Sequence, residues 1–309
     1  MAGTYQYYCV ATCGEYTATS QKAAFTVEEG VAEVTVGGNT TRYATLTKAF
    51  DAVKATVNAA DADADLEITL KILKNISETG SEWKIDGGTK NVNFCMDLNG
   101  CTVTGKGLYI IGEGVKAVFK DAGTGQNGTL NAPVSIRNKA KLTVENGNYT
   151  KNLRFSSGAT GELKGGYYSQ SIYIGNANSD NTGISCTITG GEYKGSEVCV
   201  YGGAALSVSG ADTKIDTLQI DHSKKLRAEV TLSGGEYKII TLVAFPGSND
   251  DLLDEELRYA IADTLAEGYA FYSAGIKTDI SRTEKTLNNV KVLPADTPED
   301  VSLAVVSFR

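Results

Sequence analysis

The sequence predicts an all-β protein, a right-handed parallel β-helix solenoid with short helical caps at both ends. Three observations support this: a repeated Gly-Gly-x-Tyr motif, a repeat length of 19 to 25 residues, and a pair of alternating apolar residues after each copy. With 309 residues, of which 41% are hydrophobic, the chain can bury a continuous core.

Each repeat has an apolar residue just before its turn, here called the anchor. The anchors are Leu98, Val144, Leu163, Ile188, Val208 and Leu232. The long step between the first two holds an extra copy, in which residues 115–119 supply the missing strand. Stacked repeats would place these anchors in one interior column, in about eight coils.

A second strand follows each anchor, marked by two apolar residues with one residue between them. The pairs are Leu108 and Ile110, Leu153 and Phe155, Ile172 and Ile174, Val198 and Val200, and Leu218 and Ile220. This alternation indicates strands with one buried face. A leucine-rich repeat has a similar period, but its leucine-and-asparagine frame does not match this motif.

The chain divides into four predicted segments. Residues 31–66 form an N-terminal cap, 67–247 the parallel β-helix, and 248–309 a C-terminal cap helix with strands. Residues 1–30 contain two predicted strands, which are either the end of another module or a hairpin that packs on the first cap.

Helical spacing predicts both caps. Leu46, Ala49, Phe50, Val53 and Val57 make one apolar face over 46–57, which would cover the open edge of the first coil. A second apolar stripe predicts a helix over 251–266 on the last coil, followed by strands at 269–272 and 290–293.

Composition excludes several classes of function. The net charge of −8 argues against a nucleic acid or an anionic membrane as the main partner. His222 is the single histidine, which excludes His-based zinc sites and most His relays. No apolar run is long enough to span a bilayer, and no signal peptide is visible. The six cysteines include no CxxC, so we expect mostly free buried thiols, and neither a metal nor a cofactor. We also expect a monomer.

Several of these motifs resemble a known group of proteins. Residues 44–53, the repeated Ile-x-Gly-Gly-x-Tyr and residues 265–272 look like adhesin-like surface proteins of Gram-positive gut bacteria. In those proteins pectate-lyase-like β-helix modules alternate with immunoglobulin-like modules. Gly3 to Cys9 likewise resembles the end of a bacterial immunoglobulin-like domain. The resemblance implies an extracellular or cell-surface location, with host or dietary glycans or surface proteins as partners.

An acidic ladder is the first candidate site. Glu192, Asp212 and Glu236 each follow their anchor by four residues, so three successive coils would place them about 5 Å apart. That spacing suits a retaining glycosidase pair or a shared calcium ion. Lysines at 194, 214 and 238 follow on the same face, and favour a charge-neutralised surface instead.

Tyrosines form the second candidate site. Position five after the anchor holds Val103, Tyr149, Tyr168, Tyr193, Thr213 and Tyr237. We expect this column inside the solenoid. Tyr109, Tyr173 and Tyr201 instead neighbour inward-facing aliphatics, so they should face solvent and are candidates for contacting carbohydrate.

The function predicted from these patterns is a noncatalytic adhesion or stalk module that can bind glycans. The alternative is a carbohydrate-active enzyme, a polysaccharide lyase or glycoside hydrolase on a β-helix. The single Asp-Asp, at 250–251, falls in the predicted C-terminal cap helix, and the Gly-His-Gly and Arg-Ile-Lys motifs of polygalacturonase-type enzymes are absent, so we assign no catalytic residue. The loop at 176–181 could still supply ligands that the repeat does not reveal.

Overall fold

The computed structural model describes residues 3–27, 29–125, 127–177, 179–221, 226–243 and 260–299. It contains one α-helix in this part of the chain, α1 (Leu46–Ala59). The strands are β1 (Gly3–Tyr7), β2 (Val10–Cys13), β3 (Tyr16–Thr19), β4 (Ala23–Val27), β5 (Ala32–Val36), β6 (Asn39–Tyr43), β7 (Asp65–Ile72), β8 (Ile76–Asp86), β9 (Asn91–Asp97), β10 (Thr102–Ile111), β11 (Val115–Lys120), β12 (Thr129–Asn131), β13 (Val134–Arg137), β14 (Lys141–Val144), β15 (Asn148–Tyr149), β16 (Leu153–Phe155), β17 (Thr160–Leu163), β18 (Tyr167–Tyr168), β19 (Ile172–Ile174), β20 (Ser185–Ile188), β21 (Glu192–Val200), β22 (Ala205–Val208), β23 (Lys214–Asp221), β24 (Glu229–Leu232), β25 (Glu236–Val243), β26 (Tyr269–Ser273), β27 (Ile276–Thr278) and β28 (Thr286–Pro294).

Two long sheets face each other across the core. The anchor sheet stacks β7, β9, β11, β14, β17, β20, β22 and β24 in parallel, and the return sheet holds the second strands of the same coils. Together they make a solenoid of about seven turns, which confirms the predicted parallel β-helix. Antiparallel strands extend both ends: β5 and β6 join the anchor sheet, and β28, β26 and β27 join the return sheet.

The predicted anchor column is confirmed over five coils and is wrong at its first member. Val144, Leu163, Ile188, Val208 and Leu232 pair in register and are fully buried. In the coil below Phe119, however, the paired residue is Met96 and not Leu98.

Leu98 lies beyond the end of its strand because β9 ends at Asp97. It starts a tight turn in which the N–H of Cys101 donates to the carbonyl of Leu98 (2.8 Å). The predicted repeat alignment matched Asn99-Gly100 to the Gly-Gly pairs of later copies. In this coil it is therefore displaced by two residues, from Met96 to Leu98.

The second-strand pairs lie in two inward columns, as predicted. All ten side chains are buried, and the pairs stay in register from β10 to β23. The residue between each pair consequently points out of the solenoid.

The Gly-Gly-x-Tyr turn needs both of its glycines. The second glycine has a left-handed backbone, with φ of 103° at Gly166 and 101° at Gly191. The first lies against the neighbouring coil: a Cβ at Gly190 would be 2.3 Å from the carbonyl oxygen of Lys164. The hydroxyl of Tyr193 then donates to the carbonyl of Gly190 (3.1 Å), which ties the turn to its own strand.

The tyrosine column lies inside the solenoid, as expected. The rings of Tyr149, Tyr168 and Tyr193 stack with centroids 5.1 Å and 4.7 Å apart. Ile215, not Thr213, occupies the next place before Tyr237, because Tyr193 pairs with Ile215. The hydroxyl of Tyr237 donates to Gly234 (2.8 Å), so this buried column is hydrogen-bonded and is not a sugar platform.

The N-terminal cap has the predicted helix on the predicted face. α1 buries Leu46, Ala49, Phe50, Val53 and Val57, and the Phe50 ring stacks on Trp83 of the first return strand at 5.7 Å.

Both ends of α1 are satisfied by the coils beneath it. The carboxylate of Glu78 accepts from the N–H groups of Leu46 (2.7 Å) and Thr47 (3.0 Å), where the helix dipole favours a negative charge. Lys90 donates to the Asn58 carbonyl at the other end (3.0 Å).

The C-terminal cap is described only in part. The predicted helix over 251–266 falls mostly outside the described residues, although Ile261–Thr264 forms one 3-10 turn beside β24. The predicted strands at 269–272 and 290–293 are confirmed within β26 and β28.

The first residues form two antiparallel pairs, β1 with β4 and β2 with β3, rather than two strands. Their side chains from residue 4 to residue 24 are all exposed. The side chains from residue 4 to residue 24 therefore do not pack on the cap helix in this structure.

A charge in the anchor column should be severely destabilising. Val208→Asp places a carboxylate at a fully buried site, and we expect the free energy of unfolding to fall by about 4 kcal/mol or more. Urea denaturation measures this. Ser207→Asp, one residue away on the outer face, is the matched control and should change stability little; equal losses in both would contradict the column.

Removing the cap contact should weaken the N-terminal end. Phe50→Ala deletes a ring packed on Trp83, and we expect a loss of about 3–5 kcal/mol by urea denaturation. Lys54→Ala on the exposed face of the same helix should leave stability nearly unchanged. A Phe50→Ala protein as stable as the control would show that α1 does not cap the core.

Candidate functional site

Outward-facing residues at the centre of the return sheet form a continuous column. Each stands between the two inward residues of its strand, and the pairing of successive coils sets their order. The column is Lys84, Tyr109, Ser135, Arg154, Tyr173, Cys199, Gln219 and Thr241.

Two of the three predicted surface tyrosines belong to this column. Tyr109 and Tyr173 are half-buried and lie three strands apart, on β10 and β19. Tyr201 is only 6% exposed, so its predicted exposure is wrong. It lies in the turn that ends β21, and its ring centroid is 6.5 Å from that of Tyr173.

Each of these two tyrosines has an arginine over its ring. The guanidinium carbon of Arg137 lies 5.1 Å from the Tyr109 ring centroid, and that of Arg154 lies 4.2 Å from the Tyr173 centroid. Both distances are within the range of cation–π contacts. We call Tyr109, Arg137, Arg154, Tyr173 and Tyr201 the Tyr–Arg strip.

The arginines were missed by the sequence analysis, although a signal for one of them is present. Arg154 stands between Leu153 and Phe155, as Tyr109 stands between Leu108 and Ile110. The same alternation that indicates buried pairs therefore also marks Arg154 as outward. Arg137 comes directly after the inward residues Val134 and Ile136 of its coil. Its position over the Tyr109 ring is seen only in the structure.

Polar contacts hold both guanidinium groups in place. The Nε–H of Arg137 donates to Ser135 Oγ (2.8 Å). Arg154 Nη1 donates to Asn176 Oδ1 (2.8 Å), and the fully buried Asn181 in turn accepts from the N–H of Asn176 (2.9 Å). The described part of the 176–181 loop thus positions Arg154.

An open cleft of about 210 Å³ lies between the two arginines. Its lining residues are Tyr109, Pro133, Val134, Ser135, Arg137, Asn152 and Arg154. The lining combines an aromatic ring, a small apolar floor and two cations, and contains no carboxylate.

The acidic ladder does not exist in the predicted register. Glu192 pairs with Lys214, and Lys214 pairs with Glu236, so a cation separates the two carboxylates. Asp212 lies in the preceding turn. That turn is two residues longer than the equivalent turns, running from Val208 to Lys214, which moves Asp212 out of the column.

Acidic and basic residues alternate within a strand as well as between neighbouring strands. Glu192 contacts Lys194 (2.7 Å) and Lys214 (3.3 Å), and hydrogen bonds from these two lysines lower the pKa of its carboxyl. Lys238 contacts Asp216 (2.7 Å) in the neighbouring column. A glycosidase acid needs a raised pKa, so the environment of Glu192 is the opposite of a general acid's.

A buried carboxyl group lies near one end of the Tyr–Arg strip. Asp221 is fully buried, and neither of its oxygens has a hydrogen-bond partner among the residues that the structure describes. Burial raises the pKa of Asp221 to about 7. The full burial of this carboxyl group keeps it out of reach of a substrate.

The pH dependence of stability should report this group. Native Asp221 keeps its proton up to about pH 7, whereas in the unfolded chain the pKa returns to 3.8. Stability should therefore fall as pH rises from about 4 to 7, by about 1.4 kcal/mol per unit from this residue, and level off above.

Asp221→Asn removes the titrating group with little change in shape. Urea denaturation of both proteins across this pH range should show the slope only in the wild type. Identical pH profiles would contradict a protonated Asp221 in the native protein.

The six cysteines are free thiols, and Cys186 and Cys199 are buried, whereas Cys9 and Cys13 are exposed. Within the described ranges, no group of three or more His, Cys, Asp or Glu side chains could hold a metal ion. His222 lies outside these ranges. The described helices include none with the length and hydropathy to cross a membrane.

Comparison with known proteins adds no family to this geometry. No family model, curated protein or solved structure matches the chain. The resemblance to bacterial surface proteins therefore stays a prediction.

Proposed function

We propose that the chain is a noncatalytic carbohydrate-binding module of an extracellular or cell-surface protein, acting in adhesion or as part of a stalk. The observation that carries this proposal is the Tyr–Arg strip, in which half-buried aromatic rings and fixed hydrogen-bond donors lie together on a rigid outer face.

Aromatic rings and polar groups at fixed spacing suit sugars, which present both apolar ring faces and hydroxyl groups. Tyr109 and Tyr173 are held by the strands on which they stand, and successive strands are spaced by about 4.8 Å. The strip can thus meet several units of an extended glycan. Little conformational entropy is lost on binding, because the rings are already ordered.

A carbohydrate-active enzyme is the alternative function. Glu192 is ion-paired, Asp212 is in a turn, and Asp221 is buried, which weighs against a catalytic role for each. We therefore expect that polysaccharides incubated with the protein show no new reducing ends and no unsaturated products. Cleavage that is lost in Glu192→Gln or Asp212→Asn would favour the enzyme.

Binding to a panel of neutral and acidic polysaccharides tests the proposal. We expect Tyr109→Ala and Tyr173→Ala each to weaken binding of a polysaccharide that the wild type retains by about five- to tenfold, because each removes roughly 1 kcal/mol of aromatic contact.

The matched control is Tyr167→Ala, which removes a tyrosine of similar character from a different part of the sheet, where it is 38% exposed. Its affinity should equal that of the wild type. Equal losses in all three variants, or retention of no polysaccharide at all, would contradict the proposed function.

A further inference from the structure

We propose that the cleft between Arg137 and Arg154 binds an acidic group of the glycan, a carboxylate or a sulfate ester. This inference rests on the proposed function and specifies its ligand class. The acidic group would lie between the two guanidinium groups while neighbouring sugar rings contact Tyr109 and Tyr173.

The two arginines of the cleft differ in their contacts from two other arginines of the chain. The chain carries 37 acidic residues against 29 basic ones, so carboxylates are in excess. Arg42 and Arg282 each contact a carboxylate, at 2.8 Å and 2.7 Å. Arg137 and Arg154 have no ion pair within the described residues, and contact tyrosine rings instead.

Several lysines on the same solenoid contact carboxylates rather than aromatic rings. Lys84 contacts Asp86 (2.6 Å), Lys106 contacts Glu82 (2.9 Å) and Lys139 contacts Glu113 (3.0 Å). Arg137 and Arg154 differ from these lysines because their guanidinium groups line a cleft that contains no carboxylate.

The guanidinium groups retain donors for a ligand. An arginine has five N–H donors. In the described structure Arg137 uses its Nε–H, and Arg154 uses one terminal nitrogen, for contacts to Asn176 and Gly175. The remaining donors match the paired oxygens of a carboxylate or sulfate, which arginine binds in a fork-like geometry.

The surroundings favour a glycan over a nucleic acid. The cleft contains two cations rather than an extended basic groove, and the whole chain is acidic. Its other lining residues include Asn152, whose amide can bond a hydroxyl, and Pro133 and Val134, which offer apolar contact. A single acidic group on a mostly neutral, hydroxyl-rich chain fits this lining.

Two matched pairs of polymers test the ligand class. Polygalacturonate and its methyl ester differ in the free carboxylate, and dextran sulfate and dextran differ in the sulfate. We expect the wild type to bind at least one charged polymer ten or more times more tightly than its neutral partner, with affinity falling as salt increases.

Arginine variants locate the binding. Arg137→Gln and Arg154→Gln should each reduce binding of the charged polymer at least fivefold and leave the circular dichroism spectrum and melting temperature unchanged. Arg42→Gln is the matched control, since it removes the same charge from an arginine that is ion-paired to Glu33. It should bind like the wild type.

The outcomes separate this inference from the proposed function. Equal binding of charged and neutral polymers would overturn the acidic ligand but keep the carbohydrate-binding module. A charge preference unchanged in both arginine variants would likewise overturn the cleft as its site. Binding to none of the four polymers or the wider panel would contradict both proposals.

Discussion

The close stacking of successive turns is the constraint on which the rest of this structure depends. At the Gly-Gly-x-Tyr motif, a Cβ on the first glycine would overlap the neighbouring coil, as at Gly190 against Lys164. The tyrosine hydroxyl then fastens its strand to the same turn. Turn length and strand register are thereby coupled, so the identity of every outward neighbour follows from the number of residues in each turn.

This coupling explains which parts of the fold could be predicted from the sequence. The inward columns follow from alternation within short strands, and they were predicted correctly from Val144 to Leu232. Leu98 and Asp212 were misplaced because both alignments assumed a constant turn length. A two-residue change in a turn leaves the buried pattern intact and exchanges all the charged neighbours on the outer face.

The longer turn before β23 also accounts for the alternation of charge. Had Asp212 stood in register, three carboxylates would have been stacked at the strand spacing and repelled one another. The observed order of Glu192, Lys214 and Glu236 places a cation between two anions. Such exposed pairs contribute little stability individually, so their main effect is to remove like-charge repulsion from a long parallel sheet.

The Tyr–Arg strip departs from that compensation at positions where the core imposes no requirement. Its column neighbours include the polar Ser135 and the buried Cys199, so residues of different character stand at the outward positions. Tyrosine faces partly balance the two arginines without neutralising them. At the far end of the strip, Asp221 is uncharged below about pH 7 because its burial raises the pKa of its carboxyl group. In an acidic chain, the cleft thus combines two cations with a lining that contains no carboxylate, and these are conditions that favour recognition of an acidic sugar.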